Sequence, residues 1–147
     1  MRGIAKSTVV SLAILAAASP AAAETWTRFS ASNTLVYLVD QDTFTPTDGI
    51  ATVRFARVPA QGEATDLSHE VEEVAIRCSD GQSRTTVTVT YGADGAETDR
   101  YAEETPWEDT PSGGIYGGLK SFACEDMRPQ GKSYPTVAAY LADGRGG

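Results

Sequence analysis

Two cysteines, Cys78 and Cys124, a single histidine, His69, and several adjacent carboxylates are the residues of this chain with the means to do chemistry. A serine or cysteine nucleophile needs a base within hydrogen-bond reach, and His69 is the one imidazole available. No Gly-x-Ser-x-Gly turn surrounds any serine, so a hydrolytic elbow is absent from the sequence. Glu72-Glu73, Glu103-Glu104 and Glu108-Asp109 offer paired carboxylates. On an extended chain, however, neighbouring side chains point to opposite faces, and these pairs are expected to form a solvated surface. Asp94, Glu97 and Asp99 carry oxygens that suit calcium, but their spacing is not that of a calcium loop and a turn at Asp94-Gly95 accounts for the first of them. The expectation is a non-enzymatic chain with no catalytic residue, no cofactor and no metal.

The cysteines acquire a use from the compartment. Arg2 and Lys6 precede an apolar run from Val9 to Ala18, and Ala21-Ala22-Ala23 presents small residues where a signal peptidase reads. Residues 1–23 are therefore expected to be a signal peptide, cleaved before Glu24, and the protein to be periplasmic or secreted. The apolar run is far short of the roughly 20 residues needed to cross a bilayer, so stable membrane insertion is not expected. No cysteine stands near the cleavage position to carry a lipid anchor. In an oxidising compartment Cys78 and Cys124 serve each other better as a disulfide than as nucleophiles.

Removing the signal takes two of the 12 basic residues and none of the 20 acidic ones, leaving 10 minus 20, or −10. The remaining Lys and Arg are scattered singly, which argues against nucleic acid as a partner. The 124 residues after the signal suit one domain.

Their periodicity is mostly that of strands. Thr34 to Val39 is apolar or β-prone on both faces, as in a strand covered on two sides. Ile50 to Val58 alternates, with Ala51, Val53 and Phe55 on one face, and reads as half-buried up to Pro59. Val74 and Ile76 share a face with Cys78, and Asp80-Gly81 turns that strand into Arg84 to Tyr91. Asp94-Gly95 turns again into Glu97 to Tyr101, so an antiparallel meander is expected. After Pro111, Ser112 is placed to cap a helix whose apolar stripe is Ile115, Leu119, Phe122 and Ala123, ending at Cys124. The fold class is α+β: about five or six antiparallel strands with a C-terminal helix on one face.

The order of these landmarks resembles the surface-adhesin protein E family. The likeness runs from Trp26 to Cys124. It is carried by Trp26, the Val36-Tyr37-Leu38-Val39-Asp40 strand entering Asp42-Thr43-Phe44, Ile76-Arg77-Cys78, the Thr-Val hairpin, Trp107, and Pro111-Ser112 leading to Phe122-Ala123-Cys124. The resemblance implies an exported bacterial protein with a helix tied back to its sheet by a Cys78–Cys124 disulfide, organised as signal 1–23, domain 24–124 and extension 125–147. It also implies binding of a protein partner, a host matrix or envelope protein. The founding member is a lipoprotein of the outer membrane, and here the acylation cysteine is missing, so a periplasmic structural or envelope-maintenance protein is the alternative. Trp107, an aromatic among Glu104, Pro106, Glu108 and Asp109, and Tyr134 and Tyr140 of the tail are the residues through which a partner would be bound. The competing reading has Trp107 covering the junction of sheet and helix and the tail docked on its own sheet.

Overall fold

The computed structural model describes residues 23–146, so the signal read at 1–23 lies, apart from Ala23, outside the described residues. Six strands follow the chain: β1 (Trp26–Ala31), β2 (Leu35–Asp40), β3 (Ile50–Pro59), β4 (His69–Arg77), β5 (Gln82–Tyr91) and β6 (Glu97–Ala102). Each pairs antiparallel with the next. Two strands of two residues, β7 (Glu108–Asp109) and β8 (Ser133–Tyr134), extend the sheet to eight: β7 returns to β5, and β8 adds to β1. The helices are α1 (Gly114–Cys124) and α2 (Val137–Ala142). Gly81 sits at φ 69°, the left-handed conformation that the tight β4–β5 turn needs and that glycine adopts without steric cost.

Alternation along the central strands builds two apolar layers, one on each face. On one face Val39, Val53, Phe55, Val74 and Ile76 receive Leu119 and Phe122 of α1. On the other, Val36, Leu38, Ala56, Val58 and Val71 receive Val137, Tyr140 and Leu141 of α2. β2 is thus covered on both sides, as its sequence reads. β3 is half-buried as its alternation reads as far as Arg54, but beyond it α2 covers Ala56 and Val58 as well. The segment after Cys124 therefore supplies β8, α2 and part of the core, which continues to Leu141.

The disulfide joins Cys78, just past β4, to Cys124, the last residue of α1, with 5.5 Å between their Cα atoms. Ser112 does not cap α1. The N-cap is Gly113, which offers no side-chain bond. Instead the chain folds back over the first turn: a Cβ on Gly117 would lie 2.8 Å from the Pro111 carbonyl oxygen, a contact that only glycine permits. In α2 the cap is Thr136, whose hydroxyl accepts the Ala139 amide at 3.0 Å. Among the described residues no helix is long and apolar enough to cross a membrane, which says nothing of strands.

Candidate functional site

α2 covers only part of its face of the sheet. The registers place Arg54 opposite Glu73, Thr52 opposite Ala75, and Ala75 opposite Arg84, with Arg77 two residues further on, so all of them share the face away from α1. The aromatic cover there is Trp107. Its ring lies 4.2 Å from the guanidinium carbon of Arg77 and 4.6 Å from that of Arg84. Contact of an indole with two guanidiniums is favoured because the ring quadrupole is negative on its faces.

The surroundings hold this cluster still. Arg77 donates from Nε to Asp80 at 2.9 Å and from Nη2 to Gln82 at 2.8 Å, and Arg84 pairs with Glu104 at 3.4 Å. The segment carrying Trp107 is fixed on both sides. Thr105 exchanges backbone and hydroxyl bonds with Thr85, β7 pairs with Gln82 and Ser83, and the Thr110 and Ser83 hydroxyls lie 2.7 Å apart. Trp107 thus remains half-buried on the uncovered part of the sheet and away from the α1 junction.

The same face continues into an ionic cluster. Arg54 donates to Glu24 at 2.9 Å, lies 3.5 Å from Asp40 and stacks over Trp26 at 5.4 Å. Trp26 Nε1 donates to Glu24 at 2.8 Å. Burial pushes the Asp40 carboxyl above its usual range despite two backbone amides. Burial also acts upward on Glu24, but the bonds from Trp26 and Arg54 outweigh it and leave Glu24 below its ordinary value. Glu24, Trp26 and Arg54 also line a cavity of about 240 Å³ with His69 and Tyr91. The arrangement is a stiff surface of mixed charge with one aromatic anchor, suited to contact.

Sequence reading missed the second polar centre, on the α1 face. Glu72, read as one of a solvated pair, is 5% exposed. Its Oε1 accepts from the Thr85 hydroxyl at 2.7 Å and the Tyr116 phenol at 2.8 Å, and its Oε2 accepts from Arg57 at 2.6 Å. Arg57 also donates to Glu70 at 3.0 Å and to the Tyr116 oxygen at 3.2 Å, and lies 4.7 Å over Phe55. Burial lowers and the bond and charge of Glu72 raise the Arg57 pKa, with a net rise. Burial, then the bond to Glu72, pushes the Tyr116 phenol up. A signal was present: Glu72 lies in phase with Val74 and Ile76, the buried face of β4.

Tyr134 and Tyr140, expected as partner-binding residues, are 7% and 2% exposed and meet edge to face at 5.3 Å in the α2 layer. Their rings are core, which corrects their reading as contact residues on the surface. Of the calcium candidates, Asp94 caps its own turn through the Ala96 amide and Glu97 is engaged by Arg100. No group of three or more potential metal ligands occurs among the described residues.

His69 begins β4, stacks on Tyr91 at 4.4 Å and places Nδ1 2.7 Å from the Leu67 carbonyl oxygen. Burial pulls the imidazole below its ordinary 6.5, only partly offset by that bond. Below 6.5 the unfolded chain therefore binds the extra proton first. His69's contribution is complete above about 6.5 and declines as pH falls toward the depressed folded value. Asp40, with its raised pKa, acts in the opposite sense at lower pH. Urea midpoints between pH 7.5 and 5.5 are expected to fall in the wild type and to flatten in His69→Gln; parallel curves would show that His69 is not the group responsible.

No family model, curated protein or solved structure matches this chain, so the likeness to the surface-adhesin protein E family rests on the sequence landmarks alone.

Proposed function

We propose that this chain is an exported, non-catalytic binding protein, adhesin-like in the sense of the surface-adhesin protein E family. Its partner is a protein that docks on the uncovered half of the sheet around Trp107. The observation that carries this reading is the Trp107 cluster: a half-buried indole held in place by Arg77 and Arg84 on the part of its face that α2 leaves uncovered. Tryptophan and arginine are the residue types that dominate binding energy at protein interfaces, and a side chain already immobilised loses less entropy on docking. The disulfide is consistent with an oxidising compartment.

Mature protein beginning at Glu24 is expected to bind an immobilised extracellular matrix protein saturably, and Trp107→Ala to weaken that binding by about 2 kcal/mol. Circular dichroism of the variant should remain that of the wild type. If binding is absent at micromolar concentration, the envelope-maintenance reading replaces this one. Protease treatment of whole cells, which removes only a surface-exposed protein, separates the two independently.

A further inference from the structure

The opposite edge of the sheet holds a feature that the Trp107 surface does not use. β8 pairs only with Trp26 and Thr27, so from Arg28 to Ala31 the outer edge of β1 has no partner strand among the described residues. Against that edge lies a cavity of about 370 Å³ whose walls include Arg28, Phe29, Lys132, Tyr134, Tyr140 and Arg145. A volume of this order suits a small organic molecule and exceeds what a bare ion fills.

The cavity is basic in a chain where acidic residues outnumber basic ones, 20 to 12. Lys132 is paired with Asp143 at 2.9 Å, and Asp143 also accepts the Tyr134 hydroxyl at 2.8 Å. Arg28 and Arg145 have no carboxylate partner among the described residues. Arg145 is nonetheless immobilised, donating from Nε to the Pro59 carbonyl and from Nη1 to the Gly62 carbonyl, both at 2.9 Å. Those bonds orient its charge, which Asp66 offsets only from a distance beyond ion-pair contact. Beneath them, the Tyr140 hydroxyl is buried with no hydrogen-bond partner. Native interiors seldom leave such a donor unsatisfied, and an occupant of the adjoining space is one of the few remedies. Gly146 lies against the Tyr140 ring and the Tyr134 hydroxyl, and all three residues line the cavity.

We propose that this cavity binds a small organic anion, a single carboxylate or phosphate on an apolar body. Arg28 and Arg145 supply the charge, Tyr140 the directed donor, and Phe29 and the tyrosine rings the apolar walls. Guanidinium suits both anions because its planar fork matches two oxygens at once, and that fork is Arg28's, since Arg145 already donates from Nε and Nη1 to backbone carbonyls.

The test uses the full mature chain, labelled with ¹⁵N and titrated at constant ionic strength with benzoate, phenyl phosphate and inorganic phosphate. The expected result is saturable shifts confined to the amides of Arg28, Gly131, Lys132 and Gly146, with an organic anion tighter than inorganic phosphate. Whether benzoate or phenyl phosphate binds more tightly identifies the head group. Arg28→Gln and Tyr140→Phe are each expected to weaken binding about tenfold. Arg28 is exposed, and Tyr140→Phe removes a hydroxyl with no partner to lose, so neither variant should melt earlier. Absence of saturable shifts with all three probes, or equal affinity in wild type and both variants, overturns the proposal. So does a preference for inorganic phosphate, the mark of an adventitious ion only.

Discussion

Reduction of the Cys78–Cys124 bond is expected to cost about 4 kcal/mol by the chain-entropy estimate for a cross-link of sequence separation 46. For a domain of this size that is a fall in Tm on the order of 15 °C. The loss concentrates on α1, which has little helical stability of its own. Gly114, Gly117 and Gly118 occupy three of its eleven positions, its N-cap makes no side-chain bond, and each internal glycine disfavours helix by about 1 kcal/mol relative to alanine. Cys78→Ser and Cys124→Ser should behave like the reduced protein. Limited proteolysis should cut within 110–124 before it cuts the β4–β5 hairpin, whose backbone ladder is independent of the bond. Two free thiols in native protein, or a reduced form with an unchanged Tm, would contradict this.

The second large effect is expected from Glu72. Its carboxylate is satisfied by Arg57, Tyr116 and Thr85, and removing one partner of a buried ion pair leaves the other charge uncompensated. Glu72→Ala should therefore destabilise the protein by about 3–5 kcal/mol in urea unfolding. Tyr116→Phe, which removes one neutral donor to a charged acceptor, should cost about 1.5–3 kcal/mol. Arg57→Met in the Glu72→Met background should recover much of the loss, since a buried pair replaced by apolar side chains of similar volume is often neutral or better. A Glu72→Ala variant as stable as wild type, or a double variant no better than Glu72→Met, would show that the pair does not hold α1. Because Tyr116 lies in the first turn of α1 and Cys124 closes its last, the helix is fastened to the sheet at both ends by chemistry unrelated to helix propensity.

The parts of this architecture legible in the sequence are those set by short-range patterns. Asp80-Gly81 and Asp94-Gly95 marked real turns, and the alternation of Ala51, Val53 and Phe55 marked the face that α1 covers. The stripe Leu119 and Phe122 marked the face α1 buries. What escaped depends on partners distant in sequence. β7 and β8 are two residues each, too short for any period, and exist because β5 and β1 offer open edges. Ala56 was legible as outward-facing but not as buried, since its cover, α2, comes more than eighty residues later. The Glu72-Glu73 doublet was correctly split between two faces, yet the burial of Glu72 follows from Arg57 and Tyr116 meeting it across β3 and α1. Of the site residues, Trp107 could be picked out by its surroundings, whereas its two arginine neighbours are joined to it only by the strand registers.

β8 bears on the order of events as the chain takes shape. Thr27 and Ser133, whose hydroxyls lie 2.7 Å apart, are 106 residues distant in sequence, and Trp26 on the same strand is 1% exposed with Tyr134 as its register partner. A chain made from its N-terminus delivers β1 first and its covering residues last. Contacts of such long range form only after a large loop has closed, so the strand that leads is finished by the segment that trails. Until then Trp26 and the adjoining strand edge stand open to other chains, an interval in which a chaperone or an early neighbour meets apolar surface that the finished protein conceals.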